Sequence, residues 1–562
     1  MHSERKPLAD ARDARLLEDN LAALASRQPD LAASVLAASP DPRLVPLPAR
    51  NGMIVPGVRS ATGTVPLHSL YDPRQESTRL AASVRGAGFL VVIGMGAGFH
   101  IAALLENPEV QVVVVIEKDT AVLRSLFAQI PLARLLADPR VALSAGLETI
   151  RESVLAGWQP ALMGGMRTVP LRPWCDQEPS FFDAAAAEVH AAIEEVRGDY
   201  SVQSHFGKRW LTNILMNLAQ VESAPHSIPR GATAAVTAAG PSLEQQLPRL
   251  AAEREGILLV ATDTSLPALV RSGIRPDVVL SIDCQNHGYH HFLLGIPTGT
   301  SLFLDLASPP LLARRPVPPV FVASAHPFVR YVDSHWSRLM RIDTSGGNVT
   351  HAAVTLARAL GARRISVYGA DFSYPDGKAY ARGTYLYDHF WTEQSRLSPA
   401  EGSFYLFVHG SAQAHRLVRS GRVLYTTPLL LGYRERFMKL METIDADVIP
   451  VPGLGLELLR SGKKAPALAS AETDPWPPPG DSPSRRWKEF LTEYAWNIER
   501  LPPCAAGNRG SERELWSTIL PVAARVVREG VTPGPAALEE ARRWSLERIR
   551  RVLQLPLRSP RG

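Results

Sequence analysis

Short apolar runs alternate with amphipathic stretches through the middle of the chain. Ala234–Ala238 is apolar and reaches a turn at Gly240-Pro241, after which Ser242 opens a helix. Ser242-x-x-Gln245 reads as a capping box, in which the two side chains satisfy the first free N–H groups. A second run, Ile257–Ala261, ends at Thr262-Asp263-Thr264; Ser265 and Pro267 mark the next helix start and Gly273 its end. A third run, Val278–Ile282, ends at Asp283. This strand–helix–strand–helix–strand order predicts a parallel sheet with helices on its faces. Such sheets bind ligands at the carboxyl ends of their strands, where Gly240-Pro241-Ser242, Thr262-Asp263-Thr264 and Asp283 gather. The first of these suits a phosphate, which free N–H groups and the helix dipole favour. It also suits a plain turn and cap.

The same alternation occurs earlier. Residues 11–38 read as one or two helices, Asn51–Arg59 as strand and turn, and a helix begins near Gln75. Strand Phe89–Ile93 runs into Gly94-x-Gly96-x-Gly98, then a helix, then strand Val110–Ile116 with Glu117 at its end. This resembles the start of a dinucleotide or S-adenosylmethionine fold, in which the acid would accept ribose hydroxyls. Phe99 and Ile101 stand outside the full fingerprint, so a working cofactor site and a purely structural Rossmann unit both fit. Arg172-Pro173-Trp174 reads as a loop, Phe181–Val196 as an Ala-rich helix and residues 201–222 as another. On the latter Phe206, Trp210, Ile214 and Leu218 form one packing face; His205 and Lys208 fall on solvated positions.

After Asp283 come Cys284, His287, His290 and His291, which match no standard zinc spacing and read as a metal group or as a polar loop at the mouth of the site. Strands Ser301–Leu306 and Val320–Ala323 follow. Gly346-Gly347 forms a loop, a helix starts near Thr350 and ends at Gly361, and strand Ile365–Tyr368 leads to Gly369-Ala370-Asp371-Phe372-Ser373-Tyr374. Asp371 there suits orienting a hydroxyl or a metal-bound water, or capping the loop. Val423–Thr427 and Asp447–Pro452 read as closing strands of the same domain. A Pro-, Ser- and Ala-rich stretch at 461–485 reads as a linker, with helices at 486–502, 511–529 and 535–555 beyond it.

Length adds that 562 residues exceed one ordinary domain. With 45% hydrophobic and 21% charged residues the composition is globular. The net charge of +6 and pI of about 9.2 fit an Arg-rich solvated surface or an anionic partner; Arg542, Arg543, Arg548, Arg550 and Arg551 on the last helix read as a solvated face or as a site for an acidic partner. No nucleic-acid partner is expected. Cys175, Cys284 and Cys504 lie too far apart for a disulfide framework. The N-terminus has no apolar signal core, and no run approaches the ~18–20 residues of a membrane span. A cytoplasmic setting is expected.

TAAGPSLEQQL followed by SGIRPDVVLSID resembles the central domain of the motility-associated factor (Maf) glycosyltransferases, itself similar to 6-hydroxymethylpterin diphosphokinases. PLHSLYDP and VIEKD match the Rossmann-like N-terminal domain of that family, and the Gly-Gly loop, the helix ending in LG and the GxDxxY strand end match further on. The likeness covers roughly residues 50–455, with most specificity in 232–374. GPSL also resembles the nucleotide-binding turn of bacterial sialyltransferases. By that resemblance Gly240, Pro241, Ser242, Thr262, Asp263, Asp283 and Tyr374 bind the donor, with Tyr374 on its phosphate. Asp371 and His389 are the catalytic candidates; His389 is preferred as base over His409 and His415. One departure is Ala370-Asp371-Phe372-Ser373 where the family often has Gln-Asp-Leu-Ala.

The fold expected is α/β: N-terminal helices (1–50), a Rossmann-like domain (51–200), a second Rossmann-like, glycosyltransferase-like domain (201–460), the linker (461–485) and a small helical domain (486–562). The function implied is transfer of a sugar, typically a CMP-linked nonulosonic acid such as pseudaminic or legionaminic acid, onto Ser or Thr of flagellin. A base for the hydroxyl and groups for the leaving phosphate are its physical demands. The alternatives are a pyrophosphokinase using ATP and Mg²⁺, with Asp263, Asp283 and Asp371 as metal ligands, and a non-catalytic flagellar assembly factor.

Overall fold

The structure is a computed structural model that describes residues 5–61, 63–221, 228–315, 317–410, 413–419, 421–459, 485–502 and 511–555. Apart from Arg485, the expected linker lies outside these residues, as does Cys504. The chain groups into two units: residues 1–207 with 501–544, and residues 208–500 with 545–562. The helices after 486 (Trp487–Glu499, Ser511–Arg528 and Pro535–Gln554) are therefore divided between the two units.

The first unit is built on four parallel strands: β1 (Phe89–Ile93), β2 (Val112–Glu117), β3 (Val141–Ala145) and β4 (Met166–Pro170), in the order β3-β2-β1-β4. β1 is buried along its whole length, because helices cover both faces of the sheet; parallel strands accordingly read as unbroken apolar runs. Helices Arg5–Ala25 and Pro29–Ala37 belong to this unit. Asn20 fixes the first of them by donating to the Phe127 and Ile130 carbonyls, each at 2.8 Å. A three-stranded antiparallel sheet (Leu44–Pro48, Ile54–Ser60 and Gly63–Pro66) completes it. Arg172-Pro173-Trp174, expected as a loop, opens a short helix to Gln177: proline fits a first turn, and Trp174 is 2% exposed.

The stretches read as two helices at 181–196 and 201–222 are one helix, α1 (Pro179–Val221, 43 residues). Gly198 between them has open space around it, and a single glycine weakens a helix without ending it.

The second unit holds eight parallel strands: β5 (Thr233–Thr237), β6 (Leu258–Thr262), β7 (Val278–Ser281), β8 (Ser301–Asp305), β9 (Val320–Ala323), β10 (Met340–Arg341), β11 (Arg364–Tyr368) and β12 (Asp447–Pro450). Their order is β10-β9-β8-β7-β6-β5-β11-β12. β12 pairs parallel with β11, as a closing strand should. Arg422–Thr426, expected beside it, instead joins a small antiparallel sheet with His415–Arg419 and Tyr374–Pro375. Its half-buried alternation suits a two-sided hairpin rather than a fully covered strand. The helices that shape the carboxyl edge are α2 (Ser242–Ala252), α3 (Leu266–Arg271), α4 (Val349–Ala359), α5 (Tyr385–Glu393), α6 (Ala400–His409) and α7 (Pro428–Thr443).

The end of α1 clamps part of that edge. Asn213 donates to the Cys284 and Ala307 carbonyls at 3.0 and 2.8 Å, and Asn217 to those of Leu306 and Ser308 at 3.0 and 2.8 Å. Both amides are buried, so they satisfy loop carbonyls that would otherwise be stranded. The loops after β7 and β8 are thereby tied down.

Candidate functional site

β5 is laid down first and ends between β6 and β11. The chain moves away on one side through β10, then returns to place β11 on the other. Parallel sheets bind ligands outside the carboxyl ends of the strands at such a reversal. Here the two loops are stitched together: Ala238 N–H donates to the Tyr368 carbonyl at 2.8 Å and Gly240 N–H to that of Gly369 at 2.9 Å. Asp371, 5% exposed, folds back over the start of α2. Its Oδ2 accepts from the Ser242 N–H at 2.8 Å; its Oδ1 accepts from the Ser242 hydroxyl and, at 3.1 Å, from the Gly455 N–H. Leu454 N–H donates to Ser242 Oγ at 2.6 Å. Burial raises the Asp371 pKa, opposed by the bonds from Ser242 and Gly455.

These contacts correct two expectations. Ser242 makes no capping box; the cap is the carboxylate of Asp371, which also meets the positive end of the helix dipole. The first N–H groups of α2 are not left for a phosphate, because those of Leu243 and Glu244 turn back to the Gly240 and Pro241 carbonyls at 3.0 and 3.3 Å. Gly240 is glycine because a Cβ there would fall on Asp371 Oδ2 and the Gly369 carbonyl.

At the next strand end, Thr262 is fully buried. Its hydroxyl donates to Ser265 Oγ at 3.1 Å, and Thr237 and Ser265 share a hydroxyl pair at 2.8 Å. Thr262 therefore faces the protein rather than a ligand. Ser265, expected to cap α3, bonds across to β5 instead. Asp263 is 4% exposed; it accepts from Ser281 Oγ at 2.6 Å and from the Thr264 N–H and hydroxyl at 2.7 and 3.0 Å. Asp283 is the open carboxylate of this edge, with Oδ1 held by Gln285 N–H at 2.9 Å. Desolvation on its inner side raises its pKa, as does the charge of nearby Asp263; His287 and His291 oppose them.

Aromatic side chains stand over this floor. Tyr374 is half-buried with its phenol pKa raised by desolvation and by Tyr433. Tyr380 has its pKa pushed up to about 12 by burial, with Tyr374, Tyr385, Asp263 and Tyr433 adding to it. Tyr374 and Tyr380 both meet the Phe407 ring of α6, at 6.3 and 5.8 Å between centroids. The sequence does not single out Tyr380 or Tyr433; the density of tyrosines in YPDGKAYARGTYLY is a signal for Tyr380, and Tyr433 lies outside that stretch.

His389 is exposed on α5, with Glu393 one turn on at 3.6 Å and the Tyr385 ring at 6.1 Å. No hydrogen bond or ion pair joins it to Asp371 among the described residues. It borders a cavity of about 260 Å³ with His290, Pro267, Leu293, Leu294 and Tyr385. Asp388 beside it pairs with Arg271. His409 lies between the Tyr405 and Tyr425 rings, and His415 is exposed on the hairpin. Among the described residues no three His, Cys, Asp or Glu side chains are placed to hold a metal ion. Cys284 is buried, which pushes its thiol pKa up to about 12.

In the first unit, the glycine turn after β1 is filled by protein. Ala97 N–H donates to His68 Nε2 at 3.0 Å. Glu117, expected to face a ribose, is 1% exposed. It accepts from Met95 N–H at 2.9 Å, Lys118 N–H at 2.9 Å and Trp174 Nε1–H at 2.8 Å. Burial raises its pKa to about 7. The residues supply their own ligands, so they do not fit a dinucleotide or S-adenosylmethionine in this conformation.

Comparison with known proteins fits this geometry. Residues 208–377 match the family model described as 6-hydroxymethylpterin diphosphokinase MptE-like. Two uncharacterized proteins of Treponema pallidum (strain Nichols) are similar: one is 29% identical over 176 residues, 30% of this chain and 84% of that protein, and the other 32% identical over 151 residues, 26% of this chain and 53% of that protein. The match thus spans most of the first relative but only about half of the second. Among solved structures, the Maf glycosyltransferase from Magnetospirillum magneticum AMB-1 superposes with a TM-score of 0.54 at 13% identity, covering 96% of this chain and 95% of that one. The resemblance carried by GPSL and SGIRPDVVLSID thus extends through the whole architecture: the chain has a Maf-glycosyltransferase-like fold around an MptE-like segment.

Proposed function

We propose that the protein transfers a sugar from a nucleotide-activated donor, a CMP-linked nonulosonic acid, onto a Ser or Thr hydroxyl of flagellin. The observation that carries this reading is the group of tyrosines, Tyr374, Tyr380 and Tyr433, gathered near Asp263 at the carboxyl edge of the eight-stranded sheet. Phenols of Tyr374 and Tyr380 remain protonated at neutral pH, and a protonated phenol donates to a leaving phosphate. Asp371 holds the cleft together rather than acting on substrate, since its oxygens already accept from three donors. His389 is the base: it is exposed, stands on the same helix as Tyr385, which lies near Tyr380, and histidine is the side chain most often used to take a proton from a hydroxyl. A cytoplasmic enzyme of this kind meets flagellin before export.

A pyrophosphokinase would need carboxylates free for Mg²⁺. Asp263 and Asp371 instead accept several protein donors, so the donor set does not fit a metal held between them. A non-catalytic flagellar assembly role leaves the half-buried phenols without use. The test is incubation of the purified protein with CMP-nonulosonate and flagellin, read by intact mass. A mass increase of one sugar is expected, and His389→Ala should lower its rate roughly 10²–10⁴-fold. Pyrophosphate transfer from ATP to a hydroxymethylpterin, with flagellin unmodified, would overturn the reading.

A further inference from the structure

The cavity beside His389 has a composition of its own. Pro267, Leu293, Leu294 and Tyr385 give it an apolar side, and His290, Asp388, His389 and Thr392 line the rest. Leu293 and Leu294 are 64% and 47% exposed. At about 260 Å³ it is smaller than the roughly 300–1,000 Å³ of a pocket for a whole small ligand. Sugar hydroxyls or a nucleotide base edge placed against those leucines would lose hydrogen bonds to water without replacement. An aliphatic side chain would not.

The walls are fixed. Arg271 of α3 pairs with Asp388 and donates to the Gly383 carbonyl at 2.8 Å, which pins α5. The Tyr385 ring stands 5.2 Å from that of His290 and 5.0 Å from that of His291. A mostly apolar slot bordered by two imidazoles, Thr392 and the Arg271-paired Asp388 suits a short peptide segment, with an aliphatic side chain against the leucines and a neighbouring hydroxyl at the polar side.

We infer that this cavity is the acceptor subsite, and that it selects serines or threonines flanked by aliphatic residues in an exposed peptide segment. The inference rests on the transferase reading for its biological use, but binding tests it separately. The probes are the peptides acetyl-Gly-Leu-Ser-Leu-Gly-amide and its counterpart with Asn in place of both Leu. Affinity for the full-length protein is measured without donor, by ligand-observed NMR. The Leu peptide should bind about 10–100-fold tighter, the value of one aliphatic side chain removed from water. Leu294→Asp should abolish the difference, while the similarly exposed Leu36→Gln on the first unit should preserve it. Equal affinities in the wild type, or a preference that survives Leu294→Asp, would overturn the inference. If the preference is present but no sugar reaches any peptide from CMP-nonulosonate, the subsite stands as a peptide site and the transferase reading falls.

Discussion

Gly240 has no room for a side chain, and the group that fills the space is a carboxylate. Asp371 reaches Ser242 across 129 positions of sequence, holds the start of α2 with two hydrogen bonds and ties it to Gly455 with a third. Gly240→Ala should therefore act through the fold. A methyl group against Asp371 and the rigid Gly369 carbonyl should lower stability by ~1–3 kcal/mol, the usual range for overpacking. Asp371→Asn, which presents an NH₂ to one of those donors, should cost about 1–3 kcal/mol. The double variant should lose less than the sum, because both changes break the same cap. Urea denaturation curves of the three variants decide this; additive losses would show that Gly240 and Asp371 act independently.

The elements were readable wherever burial alone decides them. Val278–Ile282, the LG-ended helix before Gly361 and the strand into Gly369 follow from unbroken apolar runs and left-handed glycines. What could not be read was where polar side chains spend their bonds. Ser242 and Ser265 look like caps, yet Ser242 bonds to Asp371 in the loop after β11 and Ser265 to Thr237 of β5, since tertiary partners outcompete local ones in a buried site. The glycine turn after β1 has the same character. Its pattern announces a cofactor, but His68, Glu117 and Trp174 close it. A consequence is a pH dependence. The folded pKa of Glu117, about 7, lies above its unfolded value of about 4.3. The folded state keeps the proton longer, so stability is full below pH ~4.3, falls as pH rises toward 7, and then levels. The ceiling of this loss is roughly 3.7 kcal/mol. The urea midpoint of the wild type should fall relative to Glu117→Gln between pH 4.5 and 8; parallel curves would mean that Glu117 is ionised throughout.

At the scale of the molecule, sequence-distant segments complete each unit. In the first, Gly207 of α1 lies against the backbone of Pro521, where a Cβ would collide with the carbonyl. Helix Ser511–Arg528 buries Trp516, Ile519, Val522 and Val526 there. Gly207→Val should push this helix away and lose several kcal/mol, at about 1.5–3 for each large side chain uncovered. Amide exchange in 511–528 should accelerate; unchanged exchange would mean that the contact is dispensable. In the second unit, β5 waits for β11 and α2 waits for Asp371 and Gly455. Pairing across such separations closes large loops and is slow. On a ribosome, most of the sheet from β5 through β10 can therefore emerge and collapse while α2 still lacks its cap. The cleft comes into being only when the chain beyond residue 455 is released, so a nascent or truncated chain can possess the scaffold without possessing the site.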